Sequence, residues 1–255
     1  MGYLVRHSKT GYHKAIMASQ RRINHNYSHY DKITDVLNSE SWKRSRCFII
    51  GGGDSLRRFN FSILAGEKVI GINRAYEFYP DIDIWYAMDT SYYDSLQDGR
   101  MDKFVGDSVY KKWQELKGIK IFLSPINPHV FADKVYFVRR LVDEEVSLDL
   151  QKGIFGGNNS GLGALMLAAA LGANPIYLLG YDLGITTNSH WHSGYPNTKK
   201  EKLEQKLKSY IEQFEKVAYK FTELGIEINN LNLNSALTTF AFKNIEDVIT
   251  KKRGE

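Results

Sequence analysis

Residues 156–182 read GGNNSGLGALMLAAALGANPIYLLGYD, and this stretch decides the fold. Its first half predicts a helix that begins at Asn159 or Ser160, both favourable N-cap residues, and ends near Gly172. The helix is apolar almost all the way round, so we expect it to be buried against a sheet. Pro175–Asp182 follows at once as a buried strand with a polar end. A buried helix that leads into a buried strand is typical of an α/β protein.

Other apolar runs of strand length lie on both sides of this unit. They are rich in β-branched and aromatic residues, and stretches of helical pattern separate them. This alternation predicts an α/β fold with a Rossmann-like parallel sheet and helices on both faces. The expected strands are Cys47–Ile50, Lys68–Asn73, Ile82–Asp89, Ile119–Pro125, Val135–Arg140 and 226–231. A long amphipathic helix is expected over 199–224, with Gly225 at its end.

The composition limits the class of protein and its surroundings. Residues 1–45 are polar and basic and predict a helical amino-terminal arm outside the sheet, followed by one domain over 46–255. Because Cys47 is the single cysteine, no internal disulfide can form, and we expect a reducing, cytoplasmic setting. No apolar run approaches the roughly 20 residues of a membrane helix, and the start lacks the apolar core of a secretion signal.

The net charge of +5 comes largely from clusters near the two ends. Solvated terminal helices explain such clusters better than a nucleic-acid site does, so nucleic acid is not an expected partner. The sequence leaves open whether the chain forms a homo-oligomer.

Polar residues follow four of the expected strands. They are Gly51, Gly52, Gly53, Asp54 and Ser55 after the first, then Asn73, then Asp89, then Asp182. In open α/β sheets, ligands bind beyond the carboxyl ends of the strands. We therefore expect the functional site at this edge.

Two glycine-rich helix starts are candidates for holding a phosphate. GGGDSL, residues 51–56, is neither a dinucleotide fingerprint nor a Walker P-loop, but its glycines allow close approach to an anion. GGNNSGLG, residues 156–163, places Asn159, Ser160 and Gly161 at a second helix start. A tight turn in the first case and a simple N-cap in the second remain open alternatives.

The third candidate segment is GYDLGITTNSHWHSGYP, residues 180–196. It carries Asp182 at the end of a strand and then His190 and His192 in a polar loop. Histidine is the usual general acid or base near neutral pH. A zinc site is not expected, because no third ligand accompanies the His pair. Histidines without a role in a surface loop remain the alternative.

These segments, in this order, resemble the MptE-like proteins. That family includes an archaeal 6-hydroxymethylpterin diphosphokinase and bacterial motility accessory factors that glycosylate flagellin. The arrangement is similar also to bacterial sialyltransferases that use CMP-sialic acid. The matching residues are Gly51, Gly53, Ser55, Leu56, Asn73, Ser160, Gly161, Gly180, Asp182 and His192, and the closing segment LNLNSALTTF at 231–240 is similar as well.

The resemblance implies that 46–255 is a nucleotide-binding transferase domain with His192 and Asp182 as catalytic residues. Together with the strand-end and helix-start positions, it gives as candidate nucleotide contacts Gly51, Gly52, Gly53, Ser55, Asn73, Asp89, Asn159, Ser160 and Gly161. The sequence also departs from the sialyltransferases: it has Gly52 for their Asn, Asp54 for their usual Pro, Asp89 for their Asn, and no arginine before Asn159. Carboxylates at strand ends suit Mg²⁺ on a polyphosphate, which makes Asp89 and Asp182 candidate metal ligands.

Three functions follow as hypotheses. The first is glycosyl transfer from a CMP-type sugar nucleotide to an unidentified acceptor, with His192 as general base. The second is an MptE-like, Mg²⁺-dependent diphosphokinase that transfers pyrophosphate from ATP. The third is a nucleotide-binding protein without catalysis.

Overall fold

An eight-stranded parallel sheet forms the centre of the molecule. The computed structural model describes residues 16–101, 108–184 and 200–250. The sheet strands are β1 Cys47–Ile50, β2 Lys68–Ile72, β3 Ile84–Ala87, β4 Ile119–Leu123, β5 Tyr136–Val138, β8 Ile176–Leu179, β9 Ile228–Asn230 and β10 Ala241–Phe242. Their order across the sheet is β10-β9-β8-β1-β2-β3-β4-β5. Two short strands, β6 Arg140–Leu141 and β7 Ile154–Phe155, pair with each other beside it. The predicted α/β fold with a Rossmann-like parallel sheet is confirmed.

Helices connect the strands on both faces. They are α1 at 16–27, α2 Thr90–Gln97, α3 Val109–Gln114, α4 Ser160–Ala170, α5 Lys200–Glu223 and α6 Ile245–Thr250. Short 3-10 helices cover Ile33–Asp35, Asp54–Arg58, Phe61–Leu64 and Asn73–Glu77. None of the helices in the described part of the chain is long and apolar enough to cross a membrane.

Strand β1 shows why its sequence is a continuous apolar run. It pairs with β2 on one side and β8 on the other, so that Cys47 lies opposite both Lys68 and Ile176. All four of its side chains are fully buried. Cys47 and Ile49 belong to the core formed with α4 and α5, whereas Phe48 and Ile50 belong to the core formed with α2, α3 and α6. A strand covered on both faces has no polar face, and its sequence therefore does not alternate.

The segment before β1 packs against this sheet. Ile23, Tyr27, Ile33 and Trp42 are buried and contribute to the apolar packing of the domain. The backbone N–H of Phe137 in edge strand β5 donates to the carbonyl of Asp31 at 2.8 Å. The described part of the segment before β1, residues 16–45, thus packs onto the sheet, and the boundary at residue 45 stays a prediction.

Candidate functional site

The chain reverses its direction across the sheet between β1 and β8. From β1 it builds outward through β2, β3, β4 and β5, and it then returns to place β8, β9 and β10 on the other side. Ligands of open α/β sheets bind at such a switch point, beyond the carboxyl ends of the strands. Here those ends are Gly51–Ser55 after β1 and Gly180–Asp182 after β8. The fold therefore brings the GGGDSL turn and residues 180–182 together at the expected edge.

The Asp182 carboxylate joins three parts of this edge. It accepts hydrogen bonds from the Ser55 backbone N–H at 2.8 Å, the Ser55 hydroxyl at 2.6 Å and the Asn232 amide at 2.7 Å. The Asp182 carbonyl also accepts from the backbone N–H of Ala236 at 2.8 Å. Asp182 is only 7% exposed, so these donors replace the water that its charge would otherwise require. The residue fastens the turn after β1 and the segment after β9 to the end of β8.

Two glycines of the GGGDSL turn allow close contacts with the end of β8. A methyl group on Gly53 would lie 2.4 Å from the Asp182 carboxylate, and one on Gly51 would lie 2.9 Å from the carbonyl oxygen of Gly180. The N–H groups of Gly51 and Gly53 donate to Leu179 and Gly180 carbonyls, each at 2.8 Å. These two amides are therefore used inside the protein, and half-buried Gly52 lies between them.

Asp54 in the same turn forms an ion pair with Arg57 at 2.9 Å. Its charge is therefore offset beside any anion bound here.

The start of α4 is the second glycine-rich segment. The Asn159 side-chain oxygen accepts from the Leu162 N–H at 2.8 Å, as predicted for an N-cap. The Asn159 amide nitrogen is buried, and no described residue accepts a hydrogen bond from it. Ser160 is half-buried in the first turn, where its hydroxyl has no hydrogen bond to the described residues. Unlike the turn after β1, this helix start has side-chain donors that no described residue accepts.

A single tyrosine connects the two glycine-rich segments. The Tyr181 hydroxyl donates to the carbonyl of Gly161 at 2.9 Å. Its ring lies 3.3 Å from where a methyl group on Gly51 would be, and 3.0 Å from the same position on Gly161. Burial raises the pKa of Tyr181 well above its ordinary value, so the hydroxyl stays protonated and donates. The two segments therefore lie one aromatic ring apart.

Asn73 and Asp89 end the next two strands. Asn73 adopts a φ of 51°, and its carbonyl accepts from the Trp85 indole N–H at 2.7 Å. Its neighbour Arg74 forms a buried ion pair with Glu77 at 2.5 Å, which stabilises the turn. Asp89 precedes α2, and its exposed side chain makes no capping hydrogen bond.

The structure does not bring Asp89 and Asp182 together. β3 and β8 are separated by β2 and β1, so the two strand ends lie on the order of 14 Å apart at about 4.8 Å per strand. Within the described ranges, no group of three or more potential metal ligands occurs. A single Mg²⁺ ion bound directly by both carboxylates does not fit this spacing, since metal–oxygen distances are about 2.1 Å.

Two residues that the sequence analysis did not single out lie near the start of α4. Arg140 begins β6, two residues after the end of β5, is 9% exposed, and donates through Nε to the Ser124 carbonyl at 3.0 Å. Its Nη1 atom lies 3.7 Å from where a methyl group on Gly156 would be. The fully buried Tyr86 hydroxyl lies against Gly163, 2.2 Å from where a methyl group on Gly163 would be. Arg140 is the last residue of the predicted strand Val135–Arg140, and its place at a strand end is the available sequence signal; nothing in the sequence distinguishes Tyr86 from a core tyrosine.

His190 and His192 lie outside the described residues, so the predicted general base has no structural account. The sequence matches no protein-family model, and no curated protein is significantly similar to it. The resemblance to the MptE-like proteins therefore rests on the motif residues.

Proposed function

We propose that this chain is a transferase that binds a nucleotide-activated donor at the carboxyl ends of β1, β2 and β8 and the start of α4. The transferred group is a sugar, the donor is of the CMP type, and the acceptor is a hydroxyl. The observation that carries the proposal is the convergence of both glycine-rich segments at the switch point of the sheet, on either side of Tyr181.

In this reaction the bond between the sugar carbon and the phosphate oxygen breaks, and the phosphate leaves with the electron pair. The acceptor oxygen forms the new bond to that carbon. His192 takes the acceptor proton as general base, in the role that the resemblance implies. The Asn159 amide, which has no acceptor among the described residues, and the half-buried Ser160 hydroxyl suit the negative charge that develops on the leaving phosphate.

The position of the carboxylates favours this reaction over the diphosphokinase. Phosphoryl transfer from ATP depends on Mg²⁺ to neutralise the polyphosphate. Asp182 already accepts three hydrogen bonds, and Asp89 is the exposed carboxylate that remains. Asp89 alone is weak support for a metal-dependent reaction. The donor groups of Asn159 and Ser160 support a metal-independent reaction more strongly.

A nucleotide panel tests the proposal. CMP, CDP, UDP, GDP, ADP and ATP are added with Mg²⁺ or with EDTA, and the thermal unfolding of the full chain is followed. CMP should stabilise the protein in EDTA, by about 2.7 kcal/mol at a hundred times its Kd. Ser160→Trp should abolish the stabilisation by CMP, whereas its unfolding midpoint without nucleotide should equal that of the wild type. Ser160→Ala should reduce the stabilisation by CMP to a smaller extent.

Stabilisation by ATP with Mg²⁺ alone would favour the diphosphokinase. CMP binding without glycosyl transfer to any acceptor would favour the non-catalytic protein. Unchanged CMP affinity in Ser160→Trp would remove the start of α4 from the site.

A further inference from the structure

Arg140 is a buried cation without an ion-pair partner among the described residues. Its Nε donates to the Ser124 carbonyl and its backbone N–H donates to the Ser124 hydroxyl, at 3.0 and 2.9 Å. These contacts hold the side chain in place, and neither of its two terminal nitrogens has a hydrogen-bond partner among the described residues. Burial lowers the pKa of the guanidinium, and the nearby Tyr86 and Asp89 oppose that shift. Buried charges in proteins are normally paired, so an arginine that is buried without an acidic partner in the described chain is suited to bind an anionic ligand.

Two neutral donors near the start of α4 also have no acceptor among the described residues. The Tyr86 hydroxyl and the Asn159 amide nitrogen are buried, and neither has a hydrogen-bond partner in the described chain. Tyr86 is fully buried and Asn159 is 9% exposed. Such groups are rare in native proteins, because each loses its hydration without compensation. Burial raises the pKa of Tyr86, so its hydroxyl remains a neutral donor.

The three side chains lie on one face of the sheet, at its carboxyl edge. Tyr86 belongs to the core that contains α4, and its hydroxyl lies against Gly163 in the first turn of that helix. The Arg140 guanidinium lies beside Gly156, shortly before the helix begins. The amino end of α4, which is 11 residues long, adds the positive end of its dipole. The acidic group that influences both Tyr86 and Arg140 is Asp89, which lies at the exposed rim.

We propose that Arg140, Tyr86 and Asn159 form a phosphate-binding subsite at the amino end of α4. Guanidinium, hydroxyl and amide donors match a phosphate group, which offers several acceptor oxygens and accepts bidentate bonds from arginine. The subsite deepens the proposed function: it specifies where the phosphate binds, and it rests on the proposed function for the identity of the rest of the ligand. Arg140 acts in it as a binding residue that lies outside both glycine-rich segments.

Calorimetric titration of the full chain with inorganic phosphate and pyrophosphate tests the subsite, with acetate as the carboxylate probe. Arg140→Gln should raise the Kd for pyrophosphate roughly ten- to a hundredfold, the usual effect of losing a charge-assisted hydrogen bond. Arg140→Lys should restore part of the affinity. Arg139→Gln is the matched control, since it removes the same charge one residue away, where the side chain lies over the Tyr27 ring.

Two variants separate binding from folding. Tyr86→Phe removes a hydroxyl that no described residue uses, so it should weaken pyrophosphate binding without lowering the unfolding midpoint. Asn159→Asp retains the capping oxygen and replaces the amide donor with a negative charge, so it should weaken binding more strongly. Both remain informative if Arg140→Gln fails to fold.

The subsite is overturned if the wild-type chain binds neither phosphate nor pyrophosphate, or if Arg139→Gln weakens binding as much as Arg140→Gln does. Tighter binding of acetate than of phosphate would overturn it in favour of a carboxylate site. Pyrophosphate binding through Arg140 in a chain that binds no nucleotide would support the subsite and contradict the proposed function. Nucleotide binding that is unaffected in Arg140→Gln, Tyr86→Phe and Asn159→Asp would contradict the subsite and leave the proposed function standing.

Discussion

The Ser55 hydroxyl donates a 2.6 Å hydrogen bond to the carboxylate of Asp182, 127 residues later in the chain. The Ser55 N–H donates to the other carboxylate oxygen at 2.8 Å. This pair fastens the turn after β1 to the end of β8 at the point where the sheet changes direction. Both residues were predicted site residues, and in the structure their first role is to hold the edge of the site together.

Ser55 and Asp182 should therefore be strongly coupled in stability. Ser55→Ala and Asp182→Asn should each lower the free energy of unfolding by about 1–3 kcal/mol, because each weakens a hydrogen bond to a buried charge. The double variant should lose less than the sum, with a coupling energy of about 0.5–3 kcal/mol from urea denaturation. Additive losses would mean that the hydrogen bond contributes little.

Gly53→Ala should destabilise the protein although its backbone suits any residue. The φ of Gly53 is −70°, so the cost arises from the added methyl group 2.4 Å from the Asp182 carboxylate. We expect a loss of about 1–3 kcal/mol in urea denaturation, as for other overpacked sites. Gly184→Ala is the control, because the nearest atom to its methyl group lies 3.5 Å away. Equal stability of both variants would contradict the close approach.

Asp89→Asn distinguishes the two enzymatic hypotheses. If the protein is a glycosyltransferase of the proposed type, Asn at this exposed position should leave nucleotide affinity in EDTA unchanged. If Asp89 holds Mg²⁺, nucleotide affinity should depend on the ion in the wild type and fall sharply in the variant. Calorimetric titration of both proteins with and without Mg²⁺ measures the difference.

His192→Ala should lower the turnover of glycosyl transfer by about 10²–10⁴, the usual cost of losing a general base. Nucleotide affinity should be retained, because a general base acts on the acceptor hydroxyl. His190→Ala is the matched control and should behave like the wild type. Nearly normal rates in both variants would leave both histidines without a catalytic role. A defect in His190→Ala alone would make His190 the general base in place of His192.

Asp133 should make stability depend on pH in the acidic range. Its carboxylate accepts from the Tyr110 and Tyr93 hydroxyls at 2.6 and 2.7 Å and from the Gln114 amide at 3.0 Å. Partial burial acts to raise its pKa, but these hydrogen bonds, led by that from Tyr110, outweigh burial and lower it. The stabilisation is thus complete above the unfolded pKa of about 3.9 and is lost as the pH falls through the lower folded value.

Asp133→Asn should accordingly be less stable than the wild type at pH 6, and the difference should shrink as urea denaturation is repeated towards pH 3. Tyr110→Phe removes one donor, so the pKa of Asp133 should rise. In that variant the Asp133 carboxylate should contribute less to the free energy of unfolding, and its contribution should disappear at a higher pH. A stability difference that stays constant from pH 6 to pH 3 would contradict the lowered pKa.

The local sequence determined the elements of this fold and the edge at which its polar residues lie. Apolar runs such as Cys47–Ile50 and Ile176–Leu179 form buried strands, and Asn159 caps the buried helix α4, because hydrophobic pattern and capping act between near neighbours. The parallel sheet then places Asn73, Asp89 and Asp182 at one edge, since all its strands end on the same side.

The tertiary structure decided which of these residues meet. That β8 lies beside β1 depends on packing across the whole sheet, and only this pairing brings Asp182 to Ser55 and Gly53, where the glycine makes room for a carboxylate. The same packing separates Asp89 from Asp182 and places Arg140 and Tyr86 at the start of α4. Contacts between residues far apart in sequence leave no periodic signal, because their energy is gained only after the intervening chain has folded.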